Sequence, residues 1–333
     1  MNLNNKTYRA FRVEEIEGNY QTSIKEMPHM DLEEGQVRVK VDYSSLNFKD
    51  ALSSIGNKGV TRNYPHTPGI DAAGVVVESQ SDAFKEGDAV IVTSYELGMS
   101  HPGGYAEYIQ VPEGWVVPMP DGMTSRQAMV YGTAGFTAAL SVYRLLQNGQ
   151  KPEMGPVVVT GALGGVGSVA SKILSHLGYE VIAANYQLTE DQDIKRIGAT
   201  SQIDRAISDD TSGRPMLRTQ WAGAIDVVGG NTLTTMLKGC QPLGSVTTCG
   251  NIGSGDFAMT VYPFILRGVS LLGVDSQNCP MSIRKEIWML LANAWAVDFD
   301  EQLVSETSLD DLQQFIDIML DKKSVGRVVV AIK

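Results

Sequence analysis

Residues 155–177 read GPVVVTGALGGVGSVASKILSHL, and their reading decides the fold. Val157, Val158 and Val159 form a β-branched run short enough for one strand buried on both faces. Gly161, Gly164, Gly165 and Gly167 follow, after which Val166, Val169, Ala170, Ile173, Leu174 and Leu177 recur at helical spacing. Strand, glycine turn and helix, in that order, is the setting of a dinucleotide site. Residues without a Cβ let backbone approach a diphosphate. The helix N-terminus then offers N–H groups and the positive end of its dipole to the anion.

Downstream of this unit, strands and helices alternate. Residues 181–184, 201–204, 224–228, 245–249 and 269–274 are the further strands expected. With 157–160 they make six, with helical segments between most of them. This predicts an α/β domain, a Rossmann doubly wound parallel six-stranded sheet, over residues 124–278. Upstream, residues 1–123 read as β-rich. Val37, Val39 and Val41 alternate with Arg38, Lys40 and Asp42, the period of a half-buried strand. Further strands are expected at 74–78, 89–94 and 105–111. Glu34-Gly35, Glu86-Gly87-Asp88, Pro102-Gly103-Gly104 and Pro112-Glu113-Gly114 punctuate them as turns. The region reads as a partly open barrel or sandwich. From 125 to 146 the apolar spacing is helical, interrupted by Gly132 and Gly135.

Two helices are expected at 282–296 and 309–320. Thr307 or Ser308 would cap the second, with Asp310 and Asp311 in its first turn. A last strand at 327–332 has no place in a six-stranded sheet already complete. It is expected to return to the β-rich domain, which then comprises 1–123 and 279–333.

Among the 333 residues are 27 Lys and Arg and 38 Asp and Glu, a net charge of −11, which argues against nucleic acid and anionic membranes as partners. Cys240, Cys249 and Cys279 form no CxxC pair and fit reduced thiols. MNLNNKTYRAF at the N-terminus lacks the apolar core of a signal peptide, and no run of 18 apolar residues occurs. A cytoplasmic location is the expectation.

SSLNFKDAL (44–52), PGIDAAGVV (68–76), GGYAEY (103–108), GTAGFTA (132–138), VVVTGALGGVGSVA (157–170), PFILRGVSLLGVDS (263–276), CPM (279–281) and GRVVV (326–330) span nearly the whole chain. Together they resemble the medium-chain dehydrogenase/reductase superfamily, in its zinc-free quinone-reductase branch. Within that branch the chain is similar to the group containing acryloyl-CoA reductases, the YhdH/YhfP-type proteins. PFILRGVSLLGVDS is the most group-specific stretch; the glycine turn is shared much more widely. The resemblance implies a GroES-like catalytic domain beside the Rossmann domain.

A catalytic zinc needs three protein ligands. Zinc-dependent relatives supply a Cys from the segment at 47–50 and a His from that at 69–71. Here the residues are Asn47-Phe48-Lys49-Asp50 and Gly69-Ile70-Asp71, and no cysteine precedes Cys240. His29, His66, His101 and His176 are scattered. No metal is expected.

The second Rossmann strand ends Ala183-Ala184-Asn185-Tyr186-Gln187, without the carboxylate that holds the ribose 2′-hydroxyl in NAD enzymes. That favours NADPH. Many relatives place a basic residue near position 187, where Gln187 stands; Lys195, Arg196 and Arg205 are nearby in sequence. The resemblance assigns cofactor contacts to Gly161, Leu163, Gly164, Gly165, Val166, Asn185, Tyr186, Gln187, Asn251, Ile265, Ser276 and Arg327. It sets Asn47, Phe48, Tyr131 and Thr133 around the nicotinamide and the acceptor. Arg327 is expected close to Asp71 and facing the pyrophosphate.

Hydride transfer without a metal suits a carbon conjugated to a carbonyl, or a quinone. The expected activity is NADPH-dependent reduction of an activated alkene, an enoyl thioester such as acryloyl-CoA or an enone. The alternatives are an NADPH:quinone oxidoreductase and, in another class, an NADPH-binding structural or redox-sensing protein with little turnover. Close relatives read N-Y-K-D where this chain has Asn47-Phe48-Lys49-Asp50, so the hydroxyl they hold near the nicotinamide is missing. A homodimer is expected through the sixth strand, because an apolar sheet edge calls for a partner.

Overall fold

The structure is a computed structural model that describes residues 6–332. It divides into two compact units. One is the chain up to Thr133 with Gln277–Ala292 and the stretch from Glu301 onward; the other is Ala134–Ser276 with Asn293–Asp300. The division therefore falls inside the helix Ser125–Gln147, at its break, and not at the change of composition near 123.

In the second unit six strands stand in the order Ser201–Ile203, Val181–Ala184, Val157–Thr160, Trp221–Asp226, Cys240–Thr248 and Ser270–Gly273. Every neighbouring pair is parallel. The chain starts mid-sheet, runs to one edge, returns and runs to the other, which is the doubly wound arrangement. Val157, Val158 and Val159 are fully buried, as a strand covered on both faces requires. The helix Gly165–His176 can press against this strand because Gly167 has no side chain. A Cβ there would lie 2.2 Å from the Gly161 carbonyl oxygen.

The fourth strand stops at Asp226, earlier than its apolar run through Val228 predicts. Its carboxylate captures the next N–H groups, those of Val228 at 3.3 Å and Gly229 at 2.8 Å, and bends the chain out of the sheet. The fifth strand begins earlier than expected, at Cys240, which pairs with Trp221 across a register shift.

The first unit is built on a seven-stranded sheet. Val304–Ser308, Arg327–Ala331, Gln36–Ser45, Asp71–Ser79, Ala89–Thr93 and Val116–Pro118 follow one another, and Tyr108–Pro112 also pairs with Gln36–Ser45. The closing strand returns as expected, antiparallel to Tyr43–Ser45 and parallel to Val304–Ser308. Val37, Val39 and Val41 point into a core shared with Leu46, Val76, Tyr105 and Val330. The alternation has one exception: Arg38 is also buried, its guanidinium on Glu78 at 2.5 Å and on the Met30 carbonyl.

Two elements differ from expectation. Thr7–Ile16 and Asn19–Pro28 form a long hairpin, which their lack of a regular apolar–polar alternation hides. Thr307 and Ser308 lie in the strand Val304–Ser308, so the helix Leu312–Leu320 starts later than expected, with Asp311 as its N-cap.

Candidate active site

Within the first unit, polar side chains from four segments converge on Asp71. Its Oδ2 accepts hydrogen bonds from Ser45 Oγ at 2.5 Å, Asn47 Nδ2 at 2.7 Å and the Thr133 N–H at 2.9 Å. Its Oδ1 accepts the Thr133 hydroxyl at 2.5 Å. Asp71 is fully buried, and a buried carboxylate requires donors of this kind. Gly132 makes the convergence possible. Its backbone, at φ 51° and ψ −156°, breaks the helix and frees the Thr133 N–H to point at Asp71. A Cβ on Gly132 would stand 2.4 Å from Ser45 Oγ and 2.6 Å from Asp71 Oδ2.

The Thr133 hydroxyl gives its proton to Asp71, so at 2.9 Å it accepts from Ser94 Oγ. Ser94 and Tyr95 both have positive φ, 63° and 49°. Two successive side-chain-bearing residues in this region store strain, which is common where a side chain must be aimed. Ser94, Thr133 and Asp71 thus form a directed chain of hydrogen bonds.

Behind this cluster lies a second buried carboxylate. Asp50 accepts from the Asn47 N–H at 2.9 Å, the Gly69 N–H at 3.1 Å and the Ile70 N–H at 2.9 Å. Burial, and then the neighbouring Asp71, push its pKa up to about 7 against the pull of those N–H groups. Tyr105 donates to the Ser45 carbonyl at 3.2 Å, and burial raises its phenol well above the ordinary value. Arg327 meets Asp71 through one hydroxyl: Nη2 donates to Ser45 Oγ at 2.9 Å, and that hydroxyl donates to Asp71. Its Nε donates to the Val130 carbonyl at 2.8 Å. The side chain is buried, its guanidinium held between Val130 and Ser45.

The second unit carries the anion cradle. Gly161 turns at φ 58°, and its N–H bonds the Ala184 carbonyl at 2.7 Å, tying the turn to the neighbouring strand. The helix Gly165–His176 begins just after Gly164, so its first N–H groups have no partner within the helix. Leu163 N–H bonds Asn185 Oδ1 at 3.2 Å, while Asn185 Nδ2 is buried with no hydrogen-bond partner. An orphaned donor beside a glycine turn and a helix start fits a dinucleotide with acceptor oxygens.

The expected site residues fall into two sets. Asn47 and Thr133 meet on Asp71; Tyr131 is buried, and Phe48, at the start of the helix Phe48–Ser54, is 37 % exposed. In the second unit Gly161, Leu163, Gly164, Gly165, Val166 and Asn185 share one end of the sheet. Tyr186, Gln187, Asn251 and Ile265 are exposed, and Ser276 accepts from the Thr137 hydroxyl at 2.8 Å. Sequence reasoning passed over Ser45, Asp50, Ser94 and Gly132. Asp50 left a signal in the Asn-x-x-Asp spacing of a capping pair, and Gly132 only as an interruption of the helical spacing. Among the described residues no three His, Cys, Asp or Glu side chains gather as a metal site.

Residues 33–121 match the alcohol dehydrogenase GroES-like domain, and residues 165–293 match the zinc-binding dehydrogenase domain. The YhfP protein of Bacillus subtilis is 44 % identical over 97 % of this chain and 98 % of its own length. Its crystal structure with NAD bound superposes with a TM-score of 0.93, covering 98 % of this chain and 99 % of that one at 43 % identity. The acrylyl-CoA reductase AcuI of Ruegeria pomeroyi is 42 % identical over 95 % of this chain and 96 % of its own. The yhdH oxidoreductase of Salmonella enterica, crystallised with NADP, gives a TM-score of 0.93 at 40 % identity over 98 % of this chain and 100 % of that chain.

Proposed function

This chain belongs to the medium-chain dehydrogenase/reductase family, in its quinone oxidoreductase-like group, and we propose that it reduces the C=C bond of an enoyl thioester such as acryloyl-CoA with NADPH. The observation that carries this reading is the Asp71 cluster. Where zinc-dependent relatives hold the metal, Asn47 spends its amide N–H on Asp71 and Ile70 offers only an apolar side chain. Side chains of this kind suit an acceptor that needs no Lewis acid, an alkene activated by a carbonyl.

NADPH, when bound, supplies a hydride from the nicotinamide C4. The glycine turn and the first N–H groups of the helix Gly165–His176 hold its diphosphate, and Asn185 Nδ2 gives a further hydrogen bond. Asp71 fixes the direction of the Thr133 hydroxyl, and Ser94 fixes its lone pair, so this group is oriented before any ligand arrives. Phe48 supplies an apolar wall and no proton, so water protonates the enolate left by hydride addition.

A homodimer belongs to the same proposal. The strand Ser270–Gly273 ends the sheet of the second unit, and the helix before it, Tyr262–Arg267, exposes Ile265 and Leu266 at 67 % and 62 %. An apolar surface beside an unpaired edge suits a second copy of this chain extending the sheet. We place the enzyme in the cytoplasm, consistent with the free thiols of Cys240 and Cys249.

The test is anaerobic NADPH oxidation with acryloyl-CoA, crotonyl-CoA, small enones and quinones in parallel. Turnover with the CoA esters is expected. Turnover with quinones alone would make the chain a quinone reductase. Tight NADPH binding without turnover on any acceptor would remove it from the enzymes.

A further inference from the structure

In the first unit the helix Phe48–Ser54 starts at Asn47, one of the donors on Asp71, and leads away from that cluster. Asp50, Ala51, Ser53 and Ser54 are buried in the unit's interior. Phe48, Leu52 and Ile55 recur at i, i+4 and i+7 and so share another side of the helix. Phe48 and Ile55 are exposed and Leu52 is half-buried. An apolar stripe therefore runs for two turns, about 10 Å, from the Asp71 cluster to the surface. The side a helix turns to water is ordinarily polar, so this stripe calls for an occupant.

The stripe ends at a loop that is fixed in place. The buried hydroxyls of Ser53 and Thr61 bond each other at 2.7 Å, and the Tyr64 hydroxyl donates to the Ser53 carbonyl at 2.6 Å. Asn57 organises the turn between them: its carbonyl accepts from the Val60 and Thr61 N–H groups, and its Oδ1 from the Gly59 N–H. Two cations stand on this loop. Lys58 is already engaged, with Nζ on Glu15 at 3.1 Å and 4.7 Å from the centre of the Tyr64 ring. Arg62 is exposed, and its guanidinium enters no hydrogen bond or ion pair among the described residues. In a chain with a net charge of −11, an open arginine on a fixed loop is a local exception that suits an anion.

A reacting alkene at the Asp71 cluster, a largely aliphatic arm beyond it and phosphates farther out are the successive parts of an acyl-CoA thioester. A simple quinone has no such tail. We propose that Phe48, Leu52 and Ile55 carry the pantetheine arm of a CoA thioester and that Arg62 receives its phosphates. The proposal rests on the enoyl-thioester reading above and names what holds that substrate's non-reacting half. Glu15 already neutralises Lys58, so Arg62 supplies most of the attraction, and the contact weakens as salt rises.

The test compares the full chain with Arg62→Gln on acryloyl-CoA, acryloyl-dephospho-CoA and the N-acetylcysteamine thioester of acrylate, at saturating NADPH, with calorimetric titration of propionyl-CoA beside it. Arg62 is exposed, so the variant is expected to fold as the parent does. Arg62→Gln should raise KM for acryloyl-CoA and weaken propionyl-CoA about tenfold, the low end for a hydrogen bond to a charged group. It should leave kcat and the phosphate-free thioester within about twofold. Ile55→Ser should raise KM for acryloyl-CoA several-fold with no change in NADPH affinity. A loss shared by the dephospho ester supports Arg62 on the diphosphate; a loss confined to acryloyl-CoA supports it on the 3′-phosphate. An unchanged KM, an equal rise with the N-acetylcysteamine thioester, or a fall in kcat alone would each overturn the assignment and leave the enoyl-thioester reading standing. No turnover of any thioester, with quinones oxidising NADPH readily, would sink both.

Discussion

Replacing Gly132 with alanine strikes the point on which the first unit's site depends. At φ 51° and ψ −156° the backbone lies beside a region that glycine alone populates freely, and strain there costs roughly 1–3 kcal/mol. The new methyl would also sit 2.4 Å from Ser45 Oγ, 2.6 Å from Asp71 Oδ2 and 2.9 Å from Arg327 Nη2. Overpacking of this kind adds roughly 1–3 kcal/mol. The sum, roughly 2–6 kcal/mol, is a large share of the stability of an ordinary domain. Gly122→Ala is the matched control: its φ is 80°, but nothing lies within 4 Å of the added Cβ. It should cost only about 1 kcal/mol of backbone strain. Urea unfolding of both variants and the parent measures the difference. Gly132→Ala should also lower turnover, because Thr133 and Asp71 must move apart, while NADPH affinity, set in the second unit, holds. If the two variants proved equally stable, the packing of Gly132 against Ser45, Asp71 and Arg327 would not be the constraint argued above.

Phe48→Tyr restores the hydroxyl that close relatives carry, yet it should change kcat less than tenfold if water already supplies the proton; a gain of a hundredfold with an enoyl thioester would show that a positioned acid is needed. Asp50 bears on stability against pH. Its pKa rises from 3.8 unfolded to about 7 folded, so the folded state keeps a proton that the unfolded state has lost. Its contribution is then full below about pH 4 and fades as pH rises through about 7. Asp50→Asn cannot titrate, so the parent should lose stability relative to the variant between pH 5 and 8; a pH-independent difference in unfolding midpoints would contradict this. Sedimentation at micromolar concentration should show a dimer, and a monomer would remove the proposed edge-strand contact.

Much of the second unit was legible because its signals are local. The valine run, the glycine turn and the helical spacing lie within 23 consecutive residues, and each must be what it is for its own geometry. Strand ends were less legible. Val227 and Val228 look like strand residues, but the Asp226 carboxylate diverts the chain after Asp226, a side-chain effect invisible to periodicity. The Asp71 cluster was legible only in part. The nearness of Asp71 and Arg327 followed from the resemblance, but Ser45, the hydroxyl that joins them, is an unremarked serine at a strand end. Gly132 reads as a helix interruption in sequence; that it makes room for three polar side chains appears only in space. The hairpin Thr7–Ile16 with Asn19–Pro28 was missed because its pairing stabilises residues with little apolar alternation of their own.

The reduction of an enoyl thioester is tested most directly by tracing the hydride. NADPH carrying deuterium at the transferred C4 position is mixed anaerobically with the enzyme and acryloyl-CoA, and the propionyl-CoA formed is analysed by mass spectrometry and NMR. The account predicts one deuterium on the β-carbon of the product and none at the α-carbon, which takes its hydrogen from solvent. Propionyl-CoA lacking the label, or no propionyl-CoA while quinones oxidise NADPH readily, would contradict it.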